Sequence, residues 1–489
     1  MNRRKAVAAA LAALIFGGSA AAQALPWSPK PWLDDLRQMR AAVDTKYANI
    51  EWLRAEREVD LAALFGRAAA AIGNAGSDAQ AMAVFDRLAQ RFGDGHVGIS
   101  WPSPGAASGS GPSTPSKPAP VTVESFCRER GYDAAQASAG LGPSLAGYVP
   151  IESGQLLPAG TVTAGGVRAG IVRIGVFQPQ GFPSLCAQAV KSLSIPLEVP
   201  CDESCDNAIV THAYRGLTGA LEDRLTRLRA AGAEVLIVDV TGNGGGSEWT
   251  EAAARMVSRR RLTSARIGFV RGAHWEKQWR ELGERLRGFA AKASAADRSR
   301  LLAWAAEADA ARAEAARTCP QSGGADCPWV GRAGYSTGLV GSIPADAFAG
   351  KEWEAYVFNP GQHRYRDGVW SGPVVVLTDQ ETWSAAEQFA SLLQDNRAAL
   401  IVGARTGGAG CGHTWGGTPT KLANSGAVLK LPDCVRFRAD GSNEVRGIVP
   451  DFVLPWRAND GRAFRARMLA AALPEAAARA KALHAEPGR

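Results

Sequence analysis

The sequence predicts an α/β fold, and three observations carry that expectation. Glu234-Val235-Leu236-Ile237-Val238-Asp239-Val240 and Pro373-Val374-Val375-Val376-Leu377 are short continuous apolar, β-branched runs, the pattern of strands covered on both faces. Beyond the second run, Phe389, Leu392 and Leu393 fall at helical spacing, so a strand gives way to a helix within a few residues. Near the N-terminus, Trp32, Leu36 and Met39, then the apolar residues from Leu61 to Phe92, recur with helical period. These define a small helical N-terminal domain over residues 25–100.

The elements follow in order. Met1-Asn2-Arg3-Arg4-Lys5 is a basic leader, an alanine-rich apolar stretch runs to Phe16, and Ala22-Gln23-Ala24 is a small-residue cleavage signature. Residues 1–24 therefore read as a signal peptide, Leu25 as the start of the mature chain, and the product as periplasmic or secreted. No later run reaches the roughly 18 apolar residues of a membrane span. Losing Arg3, Arg4 and Lys5 lowers the formal charge from +8 to +5, and no Lys/Arg block interleaved with aromatics argues for nucleic acid.

Residues 101–164 read as a linker and irregular region, because 102–120 are rich in Ser, Gly, Pro and Ala. Val167 to Phe177 has a strand pattern, and Leu217, Leu221, Leu225 and Leu228 form an apolar stripe that is simplest as core packing. Residues 276–316, dominated by Ala, Arg and Glu, form a helical insertion that either caps a cleft or decorates the surface. Residues 457–489 read as a C-terminal helical tail. Eight cysteines in an exported chain make four disulfides. Sequence proximity pairs Cys201 with Cys205, Cys319 with Cys327 and Cys411 with Cys434, leaving Cys127 with Cys186. A zinc site is the competing reading, but no C-x₂-C knuckle supports it. The sequence calls for no metal and no cofactor, and it leaves the oligomeric state open.

Chemistry concentrates at two strand ends. Thr382-Trp383-Ser384-Ala385-Ala386-Glu387 puts a serine where the buried strand becomes a helix, so free backbone N–H groups and the positive end of the helix dipole surround its hydroxyl. Serine is also a common helix N-cap with no chemistry. The other strand empties into Thr241-Gly242-Asn243-Gly244-Gly245-Gly246-Ser247, where consecutive glycines let backbone N–H groups turn toward a ligand. A phosphate loop is disfavoured, since no Lys-Ser/Thr pair follows the glycines.

Together with Ile401-Val402-Gly403-Ala404-Arg405-Thr406-Gly407-Gly408 and Gly447-Ile448-Val449-Pro450-Asp451, these blocks resemble, in order and spacing, the C-terminal-processing (tail-specific) serine peptidase family. The resemblance implies a ClpP/crotonase-like spiral ββα core over residues 165–456 and hydrolysis of peptide bonds in a peptide or protein substrate. It also implies an oxyanion hole from the Gly246 and Ala385 N–H groups. No PDZ-like segment stands out in the pattern. The family's lysine base falls on Ala409, which cannot accept a proton. The branch resembling tricorn core protease and the interphotoreceptor retinoid-binding protein instead uses an N-terminal histidine and a late glutamate, and this chain offers His96 and Glu444.

The resulting expectation is a triad in which Ser384 attacks, His96 takes its proton and Glu444 orients the imidazole. Gly95 departs from the branch, which has serine before the histidine. Of six histidines, His413 in Cys411-Gly412-His413 is the rival base. A catalytically degenerate protein binding a peptide or hydrophobic ligand on the same scaffold is the alternative, and ester hydrolysis would use the same groups. If His96 is the base, the N-terminal segment must fold back against the core.

Overall fold

A computed structural model of the chain describes residues 27–102, 121–151, 156–317, 328–414 and 417–487. The signal-peptide segment, nearly all of the Ser/Gly/Pro-rich stretch and the Cys319 to Cys327 pairing lie outside those residues.

The main sheet has seven strands, in spatial order Phe452–Val453, Leu400–Gly403, Val374–Thr378, Val235–Asp239, Val167–Arg173, Ala159–Ala164 and Val149–Pro150. The first five are parallel and the last two antiparallel. The three strands read from continuous apolar runs or the Ile401-Val402-Gly403 block are buried at every position. Their side chains alternate between two layers. Leu236, Val238, Val376 and Ile401 pack under the helices Glu203–Ala230, Trp249–Met256 and Ala385–Asp395, where Leu217, Leu221, Leu225 and Leu228 are fully buried. Val235, Ile237, Val375 and Leu377 pack on the opposite face against the helix Arg462–Ala485.

Two expected boundaries change. Val149–Pro150 and Ala159–Ala164, placed in a linker by their Gly- and Ser-rich surroundings, are two antiparallel strands of the main sheet. The C-terminal segment is not a tail: Leu469, Leu473, Ala476 and Ala480 bury one face of its helix on that sheet. Its alanine content hid the apolar stripe from a periodicity reading.

The N-terminal segment forms the helices Lys30–Lys46, Ile50–Ala55, Leu61–Gly73 and Asp78–Gln90. They share one hydrophobic cluster with Trp329, Leu429, Val435 and Val445 of the later chain. Polar ties run across the same seam: Ala48 N–H donates to the Pro432 carbonyl at 2.8 Å and Trp329 Nε1 to the Tyr47 carbonyl at 2.8 Å. Strand Gly98–Ser100 then pairs antiparallel with Val428–Lys430, so the chain just after His96 is anchored in a sheet with the C-terminal half.

The helical insertion is a pair of helices, Ala273–Ala290 and Ala295–Ala316, joined through Leu286, Leu301, Ala305 and Ala308. It covers a three-stranded sheet of Cys434–Phe437, Arg266–Val270 and Val330–Tyr335, with Phe269, Trp275 and Trp279 clustered between. Among the described residues, no helix is long and apolar enough to cross a membrane.

Three disulfides join Cys127 to Cys186, Cys201 to Cys205 and Cys411 to Cys434. They close loops of 59, 4 and 23 residues respectively. Loop-closure entropy then ranks their worth at about 4 kcal/mol for the first and about 2 for the second. Replacing Cys127 and Cys186 with serine should lower the free energy of unfolding in guanidinium by more than the same change at Cys201 and Cys205. An equal or reversed ranking would show that native-state packing, not chain entropy, sets the effect.

Candidate active site

Because Val235–Asp239 and Val374–Thr378 are adjacent and parallel, with Asp239 paired to Leu377, the loops leaving them meet at the carboxyl edge of the sheet. Buried carboxylates fix both loops. Asp239 accepts from Arg173 Nη1 at 2.9 Å and from the Thr241 N–H and hydroxyl at 3.0 and 2.7 Å. Asp379 accepts from the Gly242 N–H at 2.8 Å and from Arg465 Nη1 at 2.6 Å. The Trp383 N–H closes the pair by donating to the Asn243 carbonyl at 2.9 Å.

Ser384 stands before the helix Ala385–Asp395 with φ +55° and ψ −115°, a conformation that L residues rarely adopt. The turn is imposed from both sides. Glu387 Oε2 accepts the Ser384 N–H at 2.9 Å, and Gly245 lies so close that a Cβ there would sit 2.8 Å from Ser384 Cβ. Gly246, at φ +142°, presses on the Phe177 backbone, where any side chain would meet the Phe177 carbonyl carbon at 2.6 Å. Phe177 N–H donates to the Gly245 carbonyl at 2.8 Å and Ser247 N–H to the Phe177 carbonyl at 3.1 Å, which leaves the Gly246 N–H outside this ladder. At the first position of its helix, the Ala385 N–H has no carbonyl behind it within the helix.

His96 Nε2 lies 3.0 Å from Ser384 Oγ across a sequence separation of 288 residues. Its Nδ1 is 2.7 Å from the Ala409 carbonyl, which can only accept. Nδ1 therefore carries the proton and Nε2 presents a lone pair to the serine hydroxyl. Burial pushes the imidazole down to about 4, against the Ala409 carbonyl that favours the protonated ring; Arg436 and His413 add to the depression. His96 thus remains neutral at every pH near neutrality, below the usual histidine range.

The expected orienter is corrected here. Glu444 is buried, not a solvated turn residue, and both its oxygens face Arg436, at 2.6 and 2.8 Å. The imidazole nitrogen it was expected to hold is bonded to Ala409 instead. Arg436 passes the constraint on: its Nη2 donates to the Gly410 carbonyl at 2.7 Å and to the Ser384 carbonyl at 3.3 Å. Glu444 therefore acts on the site through Arg436, from the far side of the same loop. His413 sits beside His96, ring centroids 5.9 Å apart, but its Nε2 contacts the His96 backbone carbonyl at 3.1 Å. It makes no hydrogen bond to Ser384.

Glu387, to which the motif alone assigns no function, holds the site together. Besides the Ser384 N–H, it accepts from the Thr406 hydroxyl at 2.6 Å and from the Gly408 and Ala409 N–H groups at 2.7 and 2.8 Å. One carboxylate thereby ties the Ser384 turn to the loop whose Ala409 carbonyl bonds His96. Burial, with Glu444 nearby, raises its pKa to about 7 in spite of those donors. Position three after a helix-capping residue is where a capping box places a glutamate, a signal that was available. Asp94 has a comparable task upstream: buried, with its carboxyl raised to about 6, it accepts the His96 N–H at 3.0 Å, Tyr47 Oη at 3.0 Å and Asn49 Nδ2 at 2.8 Å.

Gly95 also acquires a reason. The Trp383 indole lies against it and against Gly407; a Cβ on Gly95 would be 2.0 Å from the ring and one on Gly407 2.5 Å. Tryptophan before the nucleophile fills the space that a serine before the histidine would need. No cluster of metal-ligating side chains occurs among the described residues. Gly95→Ala should displace the indole, lowering stability by roughly 1–3 kcal/mol as overpacking does and reducing turnover through the adjoining Ser384 and His96. Thermal melts and turnover measurements on the variant test this, and a fully active, equally stable protein would contradict the close packing.

Comparison with known proteins accords with this geometry. Residues 209–454, just over half of the chain, match the family model for peptidase family S41. Mature CPAF superposes with a TM-score of 0.57 at 14% identity, over 92% of this chain and 98% of that one. The mature CPAF complex with lactacystin gives 0.56 at 15% identity, over 92% and 99%. The tricorn protease matches over 52% of this chain and 18% of its own, at a TM-score of 0.19, too low for argument. No curated protein matches the sequence. With strand, Gly-rich loop, serine turn and late Pro-Asp block in the family order, this chain belongs to peptidase family S41 and is a serine-type peptidase.

Proposed function

We propose that the chain is an exported serine peptidase in which His96 replaces the lysine base of its relatives. The observation that carries this reading is the 3.0 Å contact between His96 Nε2 and Ser384 Oγ, on a ring whose other nitrogen faces the Ala409 carbonyl. Ser384 Oγ attacks the amide carbonyl while His96 Nε2 takes its proton. The imidazolium so formed is stabilised by the Ala409 carbonyl, which accepts from Nδ1–H throughout. The negative oxygen of the tetrahedral intermediate is taken by the Gly246 and Ala385 N–H groups, at the positive end of the helix Ala385–Asp395. His96 then protonates the leaving amine, and water repeats the sequence on the acyl-enzyme. In this proposal Glu387, Glu444 and Arg436 are positioning residues, not reacting groups. Three disulfides among the described residues support an oxidising compartment.

A fluorophosphonate probe should label Ser384, and peptide mapping of the adduct identifies the residue. No labelling of the folded protein would favour the degenerate binding scaffold. His96→Ala should lower turnover by roughly 10,000-fold or more, as loss of a general base does, whereas His413→Ala should change it by less than about tenfold. A reversed order would transfer the base to His413.

The pH profile separates the two buried groups. A base held near 4 gives no acid limb between pH 5 and 8. Glu387 does titrate there, near 7, and its protonation removes acceptors from the loop that aims His96. An acid limb near pH 7 is therefore expected, and Glu387→Gln should retain a lower but pH-independent activity. A limb at 6.5 surviving in that variant would return the titration to His96. Folding responds in the opposite direction. A carboxyl raised from its ordinary value to about 7 binds its proton more tightly when folded, so its contribution to stability falls as pH rises from about 4.5 to 7, by ~3 kcal/mol in all.

A further inference from the structure

Away from the catalytic site, between the N-terminal helices and the hairpin near Ser425, lies a recess of about 470 Å³ whose walls include Trp27, Trp32, Trp101 and Met82. Two indoles are locked by one acid: Trp27 Nε1 and Trp32 Nε1 donate to the same oxygen, Asp78 Oδ1, at 2.9 and 3.0 Å. Trp101 Nε1 donates to Asp86 Oδ1 at 2.9 Å. With all three N–H edges tied to carboxylates, an occupant meets indole carbon and no free indole donor. Trp32 and Trp101 stand 5.9 Å apart, inclined at 55°, so they form a corner and not a flat platform. The lining contains one carboxylate, exposed Asp78, and no basic side chain.

We propose that this recess binds an alkylated ammonium cation. The ring faces attract positive charge through their quadrupoles, the Met82 thioether supplies a polarisable apolar contact, and Asp78 places a formal negative charge at the rim. Methyl groups on the cation meet apolar walls, so desolvation costs less than for a bare ammonium. A saccharide fits less well: it stacks on a flat aromatic platform, whereas Trp32 and Trp101 are inclined at 55° and their indole donors are already used. Trp32 is 9% exposed, and Trp27 and Trp101 are half-buried, packed on the N-terminal cluster and gathered beside an exposed carboxylate. Nothing in this proposal depends on which residue is the catalytic base.

Tryptophan fluorescence of the full chain, titrated with choline at constant ionic strength, tests it. Saturable quenching is expected, and 3,3-dimethylbutan-1-ol, the uncharged isostere, should bind at least roughly tenfold more weakly. Asp78→Asn keeps an oxygen for the two indole N–H groups but removes the charge, and should weaken choline binding by roughly fivefold or more; Trp101→Leu should do the same. Circular dichroism and fluorophosphonate labelling of Ser384 verify that each variant is folded. No saturable binding, equal affinity for the isostere, unchanged affinity in both folded variants, or preferential binding of cellobiose would each overturn the proposal.

Discussion

The arrangement around Ser384 and His96 depends on one buried carboxylate. Glu387 receives four donors, the N–H groups of Ser384, Gly408 and Ala409 and the Thr406 hydroxyl, all within 2.9 Å. Through the first it holds the strained turn that presents Ser384. Through the other three it holds the loop whose Ala409 carbonyl fixes the His96 tautomer. A buried carboxylate is costly unless its oxygens are bonded, and here that bonding is also what assembles the site. The cost remains visible as a carboxyl raised to about 7. Fold stability and site geometry therefore place opposed demands on the same group.

Arg436 and Glu444 form the second brace. Arg436 reaches the Gly410 and Ser384 carbonyls, so the loop is gripped by N–H groups from one side and by carbonyls from the other. The Cys411 to Cys434 disulfide adds a covalent tie from this loop to the strand that carries Arg436. Gly412 completes the fit: a Cβ there would lie 2.9 Å from the His96 ring. A side chain supplied by a distant segment needs a socket, and these contacts form one around the His96 ring.

The parts of the fold legible in the sequence were those with strong local patterning. Fully buried strands read as continuous apolar runs, the Leu217 to Leu228 stripe read as core, and the serine turn and glycine loop read as chemistry. What escaped were residues whose role is set by distant partners. The strand Ala159–Ala164 is rich in Ala, Gly and Thr and has no apolar alternation, yet Val167–Arg173 gives it a full antiparallel partner. Glu444 looked like a triad member because its position fits the family branch, but Arg436, separated by only 8 residues, takes both its oxygens. The Ala409 carbonyl has no signature in sequence, since every residue possesses one.

In the proposed mechanism, exchanging lysine for histidine also changes what activity depends on. A lysine on the loop after Leu400–Gly403 would sit within the sheet domain beside its serine. His96 comes from a segment whose helices bury Met39, Val43, Leu53 and Phe85 in a cluster shared with Leu429, Val435 and Val445. Separating the two would expose both halves of that cluster, at about 25 cal/mol for each Å² of apolar surface. The N-terminal helices are therefore part of the core that keeps His96 Nε2 at 3.0 Å from Ser384, not a cover laid over a finished enzyme. Asp94 makes the dependence local as well, because the carboxylate that positions the His96 N–H is itself held by Tyr47 and Asn49 from the end of the first helix. His96, brought from so far upstream, is as well placed as the packing of that first helix allows.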